Sequence, residues 1–199
     1  MKIVFRVDAS IQIGSGHIMR CLTLADQLKR DGHDCVFICR AHDGHLGDLI
    51  RNRGHILRLL SFNEEIKNFD FSSESNAHAH WLGVSYSYDF KQCEGILADE
   101  SADWLVVDHY ALGLRWQKSA RRFVRKILVI DDLADRTLDC DILLDQTFGR
   151  KVADYRDKVP MSCDILCGSE YSLLRPEFAE WRGYSLSRRK NFPLNNILV

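Results

Sequence analysis

His17 is the side chain with most chemistry within reach of its neighbours. It follows Gly14-Ser15-Gly16, and Arg20 stands three residues further on. If a helix opens here, His17 lies at its positive end. There the dipole disfavours an added proton and favours the neutral imidazole near pH 7, the form that serves as a general base. Arg20 then shares the same side of the first turn. A cation there opposes the dipole unless an anion compensates, so the spacing pairs Arg20 with Asp8 or turns it toward a charged ligand. Gly14 and Gly16 let a ligand approach the backbone closely, and the free N–H groups of a first helical turn attract anions. On spacing alone a second reading is equally open, in which Gly-x-Gly makes a tight strand-to-helix turn and His17 caps the helix.

A second cluster, Asp108-His109-Tyr110, closes the apolar run Trp104-Leu105-Val106-Val107. Ligands of open parallel sheets lie beyond the carboxyl ends of the strands, so Asp108 and Tyr110 are expected in the same crevice as Gly14 to His17. The plainer alternative makes Asp108 a turn cap with His109 packed locally, and for His109 that alternative is preferred. Asp131-Asp132 reads as a loop turn, and His42 and His45 as solvated loop residues. His78-x-His80 would bring two imidazoles together only in an extended segment.

Strand and helix must alternate to place these groups. Ile3 to Val7 is a buried parallel strand, and Ile18, Cys21, Leu22, Ala25 and Leu28 give the next helix one apolar face before Gly32 ends it. Strands follow over 34–40, 56–60, 104–107, 127–130 and 164–167, with helical spacing between several of them. The fold class expected is α/β, a Rossmann-like open parallel sheet. Residues 62–79 are polar, without a clean period, and read as an exposed loop.

The chain has 199 residues, 46% of them hydrophobic, enough for a sizeable core. With 27 basic against 28 acidic residues, the overall charge makes no case for nucleic acid or an anionic membrane. No run approaches transmembrane length, and the first residues meet Arg6 and Asp8 too soon for a signal peptide. Seven cysteines without such a signal are expected to be reduced, in a cytoplasmic protein. Neither Cys35-x-x-x-Cys39 nor Cys163-x-x-x-Cys167 has the usual zinc spacing, so no metal is expected.

Arg6-x-Asp8-x-Ser10, Ile13-Gly14-x-Gly16-His17 and Arg20-Cys21-Leu22-x-Leu24-Ala25 together resemble the amino-terminal signature of the UDP-2,4-diacetamido-2,4,6-trideoxy-β-L-altropyranose hydrolases of pseudaminic acid biosynthesis. The Asp108 to Leu112 run, Asp131 to Arg136, Asp139 to Gln146, Gly149-Arg150 and Gly168 to Phe178 resemble later motifs of that family. The resemblance implies the amino-terminal half of a GT-B-type two-domain fold, hydrolysis of a UDP-sugar, His17 as catalytic base and Tyr110 as a substrate contact. It implies neither a metal nor a cofactor. Gly14, Gly16, Arg20, Asp8, Tyr110 and Asp108 are the expected substrate-binding residues.

The motifs run from residue 3 to about residue 178, across most of this chain but only the amino-terminal part of the family pattern. In GT-B relatives the carboxyl-terminal domain holds most of the nucleotide. The expected organisation is a catalytic-base domain over 1–184, a polar, basic connector over 185–194 and the first strand of a truncated second domain over 195–199. The expected partners are a UDP-sugar and that missing domain. Two other readings remain, a GT-B-type glycosyltransferase and a non-catalytic fragment that binds a sugar or a partner chain.

Overall fold

The computed structural model describes residues 1–62 and 76–190. Seven strands form one parallel sheet: β1 (Lys2–Val7), β2 (Asp34–Arg40), β3 (Ile56–Leu60), β4 (Trp104–Asp108), β5 (Lys126–Ile130), β6 (Ile142–Asp145) and β7 (Asp164–Cys167). Their order across the sheet is β3-β2-β1-β4-β5-β6-β7. Chain order reverses between β1 and β4, which leaves a crevice above the carboxyl ends of those two neighbours. The α/β open parallel sheet expected from the sequence is the architecture found. β6, within a stretch noted only as a motif, adds a strand.

Both faces of the sheet are covered. Ile3, Phe5 and Val7 of β1 pack with Ile18, Cys21, Leu22 and Ala25 of α1 (Gly16–Arg30). Val4 faces the opposite side, in the core that holds Cys93 and Leu97 of α3 (Tyr86–Glu100) and Trp116 of α4 (Leu114–Ala120). Side chains alternate along a strand, so Arg6 shares the α3 side with Val4. The same alternation places Trp104 and Val106 of β4 on the α1 side, and Leu105 and Val107 on the α3 side. A short helix, α2 (Gly47–Asn52), connects β2 to β3.

α5 (Pro176–Arg189) begins at a proline and buries no residue. It runs through Ser185–Arg189, which the sequence reading assigned to a connector. No glycine or proline interrupts that segment after Gly183, and Arg188 and Arg189 suit the negative end of the helix. Residues 191–199, with the expected strand over 195–199, lie outside the described residues. Most of the loop expected over 62–79 does too. Among the described residues, no helix is long and apolar enough to cross a membrane.

Candidate active site

The loop leaving β1 is shaped by Ser10. Its hydroxyl accepts the backbone N–H groups of Gln12 (3.1 Å) and Ile13 (2.9 Å), and its carbonyl accepts the N–H of Gly14 (2.8 Å). Gly14 has φ of +79°, a left-handed conformation costly for a residue with a Cβ. Gly16 has no such requirement, and a Cβ there would meet no atom within 4 Å. Its side faces open space above the start of α1.

α1 opens at Gly16, which puts His17 in its first turn, directed at the end of β4. His17 Nδ1 lies 2.6 Å from Asp108 Oδ1. Arg20 grips the same carboxylate with Nε and Nη2, each at 2.6 Å, and donates from Nη1 to Asp132 Oδ2 at 3.0 Å. Burial alone would raise the pKa of Asp108, but the hydrogen bonds from Arg20 and the adjacent His17 bring it down to about 2. Asp108 is therefore an ionised acceptor at neutral pH, and His17 Nδ1 must donate the proton between them. Arg20 Nη2 also lies 3.2 Å from Nδ1, yet a protonated nitrogen cannot accept from it, so that approach is proximity and not a second bond. Nε2 is the ring nitrogen turned away from Asp108. It has no hydrogen-bond partner among the described residues, and the His17 side chain keeps 9% of its surface exposed. A base oriented by a buried carboxylate, with its other nitrogen free, is an arrangement suited to taking a proton from a hydroxyl or water.

Aromatic rings wall the imidazole. Tyr110 meets His17 edge-on with centroids 4.7 Å apart, and Trp81 stacks on Tyr110 at 5.3 Å and 28°. His78 lies edge-on to both, at 5.0 Å from Trp81 and 5.3 Å from Tyr110. The one-turn helix Ala79–Leu82 carries Trp81, and the Asn76 amide bonds the Tyr110 carbonyl at 2.7 Å. The Tyr110 hydroxyl donates to Asp132 Oδ1. Burial and then this bond to a carboxylate push the phenol's pKa up, so it remains protonated.

The expected residues divide. His17, Arg20, Asp108 and Tyr110 are brought together, with Gly14 and Gly16 at the rim. Asp108 is completely buried, so it positions His17 and Arg20 instead of touching a substrate. Arg20 pairs with Asp108 and Asp132, not Asp8, and is already matched by two carboxylates. Tyr110 offers its ring, but its hydroxyl proton is committed to Asp132.

Asp8 does not reach the crevice. It is 1% exposed, holds Arg6 at 2.6 Å and accepts the Arg40 N–H at 2.7 Å. The reason is the alternation along β1: Asp8 continues the face of Arg6, away from α1. His42 is buried beside it and not solvated, with Nε2 3.6 Å from Asp8 Oδ2, and His109 Nε2 approaches the same oxygen at 3.2 Å. His109 is thus buried against Asp8, away from the crevice, and its burial lowers its pKa.

Asp132, Trp81 and His78 were missed as site residues. Asp132 follows β5, the strand beside β4, so the rule that located Asp108 also covers it. Its partner Asp131 turns elsewhere, to Tyr155 (2.8 Å) and the Ala134 N–H (2.9 Å), so the two aspartates do not converge on one ligand. His78 was noted only in the pair His78-x-His80, and for Trp81 no sequence signal stood out, because it follows a segment without period.

No family model matches the chain. It is similar to the UDP-2,4-diacetamido-2,4,6-trideoxy-beta-L-altropyranose hydrolase of Campylobacter jejuni subsp. jejuni, with 32% identity over 179 residues, which is 89% of this chain and 53% of that protein. An uncharacterised protein of Methanocaldococcus jannaschii is 22% identical over 206 residues, 100% of this chain and 36% of that protein. The chain thus spans about half or less of the length of the curated relatives it matches. Similar solved structures include MurG of Acinetobacter baumannii, with TM-score 0.49 and 9% identity over 82% of this chain and 44% of that one. CalG4, the calicheamicin glycosyltransferase, gives TM-score 0.40 and 18% identity over 92% of this chain and 37% of that one.

Proposed function

We propose that this chain carries the general base and the sugar-facing wall of a UDP-sugar hydrolase. The observation that carries the reading is the His17–Asp108 pair, with Nε2 free at the switch point of the sheet. The similarity to a curated hydrolase of a UDP-linked diacetamido-trideoxy sugar supports the choice of substrate. In this reading His17 Nε2 accepts a proton from water as the water oxygen bonds to the anomeric carbon. The bond from that carbon to the phosphate oxygen breaks, and its electron pair leaves with UDP. Asp108 holds the ring in the tautomer this requires and balances the imidazolium that forms.

The diphosphate sits elsewhere in this reading. Arg20, the nearest cation, already faces Asp108 and Asp132, so the cluster offers no unmatched positive charge. We assign the diphosphate to a second domain of GT-B type, and place the reaction in the cytoplasm as a step of pseudaminic acid biosynthesis. Seven free thiols fit a reducing compartment. No metal or cofactor enters the scheme.

Single-turnover UDP release from the diacetamido-trideoxy nucleotide sugar, at high protein concentration, tests the reading. We expect slow release from this chain and a loss of at least about a hundredfold in His17→Ala, with unchanged circular dichroism. Equal release by both proteins removes His17 as the base. The same geometry could activate an acceptor hydroxyl, so adding a simple alcohol separates the two enzymes: a glycoside product marks a transferase, free sugar a hydrolase. A folded chain that binds the nucleotide sugar without turnover is a binding fragment.

A further inference from the structure

Independently of that reading, we propose that Cys140 and Cys163 are a reversible dithiol pair, oxidised by glutathione disulfide, whose bond staples the edge strand of the sheet to its neighbour. The two Sγ atoms lie 3.6 Å apart, in van der Waals contact. Cys140 precedes β6 and Cys163 precedes β7, and these strands run parallel with Ile142 beside Asp164. The thiols therefore meet at the amino ends of neighbouring strands, opposite the crevice. Both backbones are held. Arg121 bonds Asp139 at 2.8 Å and Asp141 at 2.9 Å, on either side of Cys140. The Cys163 N–H donates to the Pro160 carbonyl and the Asp164 N–H to the Asp141 carbonyl, each at 2.9 Å. From this contact, side-chain rotation closes the gap to a bond.

Access divides the roles. Cys140 is 1% exposed, whereas Cys163 is half-buried, so an oxidant meets Cys163 first. Burial raises the pKa of Cys21, Cys35, Cys39, Cys93 and Cys167, while the hydrogen bond with Cys140 lowers that of Cys163. The thiolate is the attacking form. The Cys163 sulfur bonds to one sulfur of glutathione disulfide, whose S–S bond breaks, and the first glutathione leaves with the Cys163 proton. Cys140 then attacks the Cys163 sulfur, and the second glutathione leaves with the Cys140 proton. The protein dithiol is oxidised to a disulfide and glutathione disulfide is reduced to two thiols. The bond acts where the sheet is weakest. β7 has four residues, none of them buried, and it ends the sheet. Such a strand is readily opened, and closing residues 140–163 into a loop restricts the unfolded chain.

The test incubates the folded chain with glutathione disulfide, quenches it with an alkylating agent and maps its peptides by mass spectrometry. We expect the protein to lose two hydrogens, with the Cys140 peptide joined to the Cys163 peptide, and dithiothreitol to reverse the change. Cys140→Ser should stop at a glutathione adduct on Cys163, and Cys163→Ser should form neither the adduct nor the link. Both substitutions are close in size to the thiol, and circular dichroism checks that the variants fold. The oxidised protein should melt several degrees above the reduced one. Cys163 left unmodified, a stable adduct on Cys163 in the unsubstituted chain, or a link to a different cysteine would each overturn the pair. A Cys140–Cys163 bond that leaves Tm unchanged would overturn the staple. None of these outcomes touches His17 or the hydrolase reading.

Discussion

Two clusters of buried charge lie on neighbouring strands and use the same residue types to different ends. The first joins Arg6, Asp8, Asp89 and Arg40. Asp89 accepts from Arg6 and Arg40 at 2.7 Å each and from the Trp116 indole at 3.0 Å, and all four charged side chains are completely buried. Two guanidiniums meet two carboxylates, so the charges cancel. The second joins Arg20, Asp108, Asp132 and His17, with two carboxylates for one guanidinium. It opens on the crevice through His17 (9% exposed) and Asp132 (25%). A balanced, sealed cluster holds β1, β2 and α3 together. The other leaves one group chemically available. An aspartate at a strand end therefore marks a site only when its partners leave something for a ligand.

The difference can be broken from the structural side first. Asp89→Ala leaves Arg6 and Arg40 facing each other without water, and should cost about 3–5 kcal/mol in urea unfolding, enough to unfold much of the protein. A loss below 1 kcal/mol would show that the sealed cluster does not hold the fold.

Acid titration addresses the open cluster. Asp108 has a folded pKa of about 2 against an ordinary 3.8, so its contribution to stability is present above about pH 4 and is lost as pH falls through about 2. The contribution is about 2 kcal/mol, and Asp108→Asn should flatten that part of the pH–stability curve. An unchanged slope between pH 4 and 2 in this variant would detach Asp108 from the charges assigned to it.

The smallest effect compares the two glycines at the rim. Gly14→Ala should destabilise the chain by about 1 kcal/mol because of its left-handed backbone. Gly16→Ala should leave stability unchanged or raise it by up to about 1 kcal/mol, since an added methyl meets open space. If that space receives the ligand, Gly16→Ala weakens binding of the nucleotide sugar while the protein stays folded. Undiminished binding would move the ligand away from the start of α1.

Much of this architecture is legible along the chain. The apolar runs of β1, β2 and β4 and the three-and-four spacing of α1 follow from burial on one or both faces. Their alternation, together with the rule for strand ends, was enough to bring His17 toward Asp108. The second half of α5 reads along the chain as a connector because it is polar. Helix propensity and a basic last turn sustain it there without any buried face.

What the sequence by itself determined is the set of chemical groups and the strand ends that carry them. Only the tertiary structure decided which carboxylate each cation meets, and the reason is register. Val7 lies beside Asp108, and both face α1, whereas Asp8 faces α3 with Arg6. A period of two shows that Asp8 and Val7 point to opposite sides. Which residue of β4 stands next to Val7 depends on how the two strands pair, and that pairing sends Arg20 and His17 to Asp108 and seals Asp8 in the core.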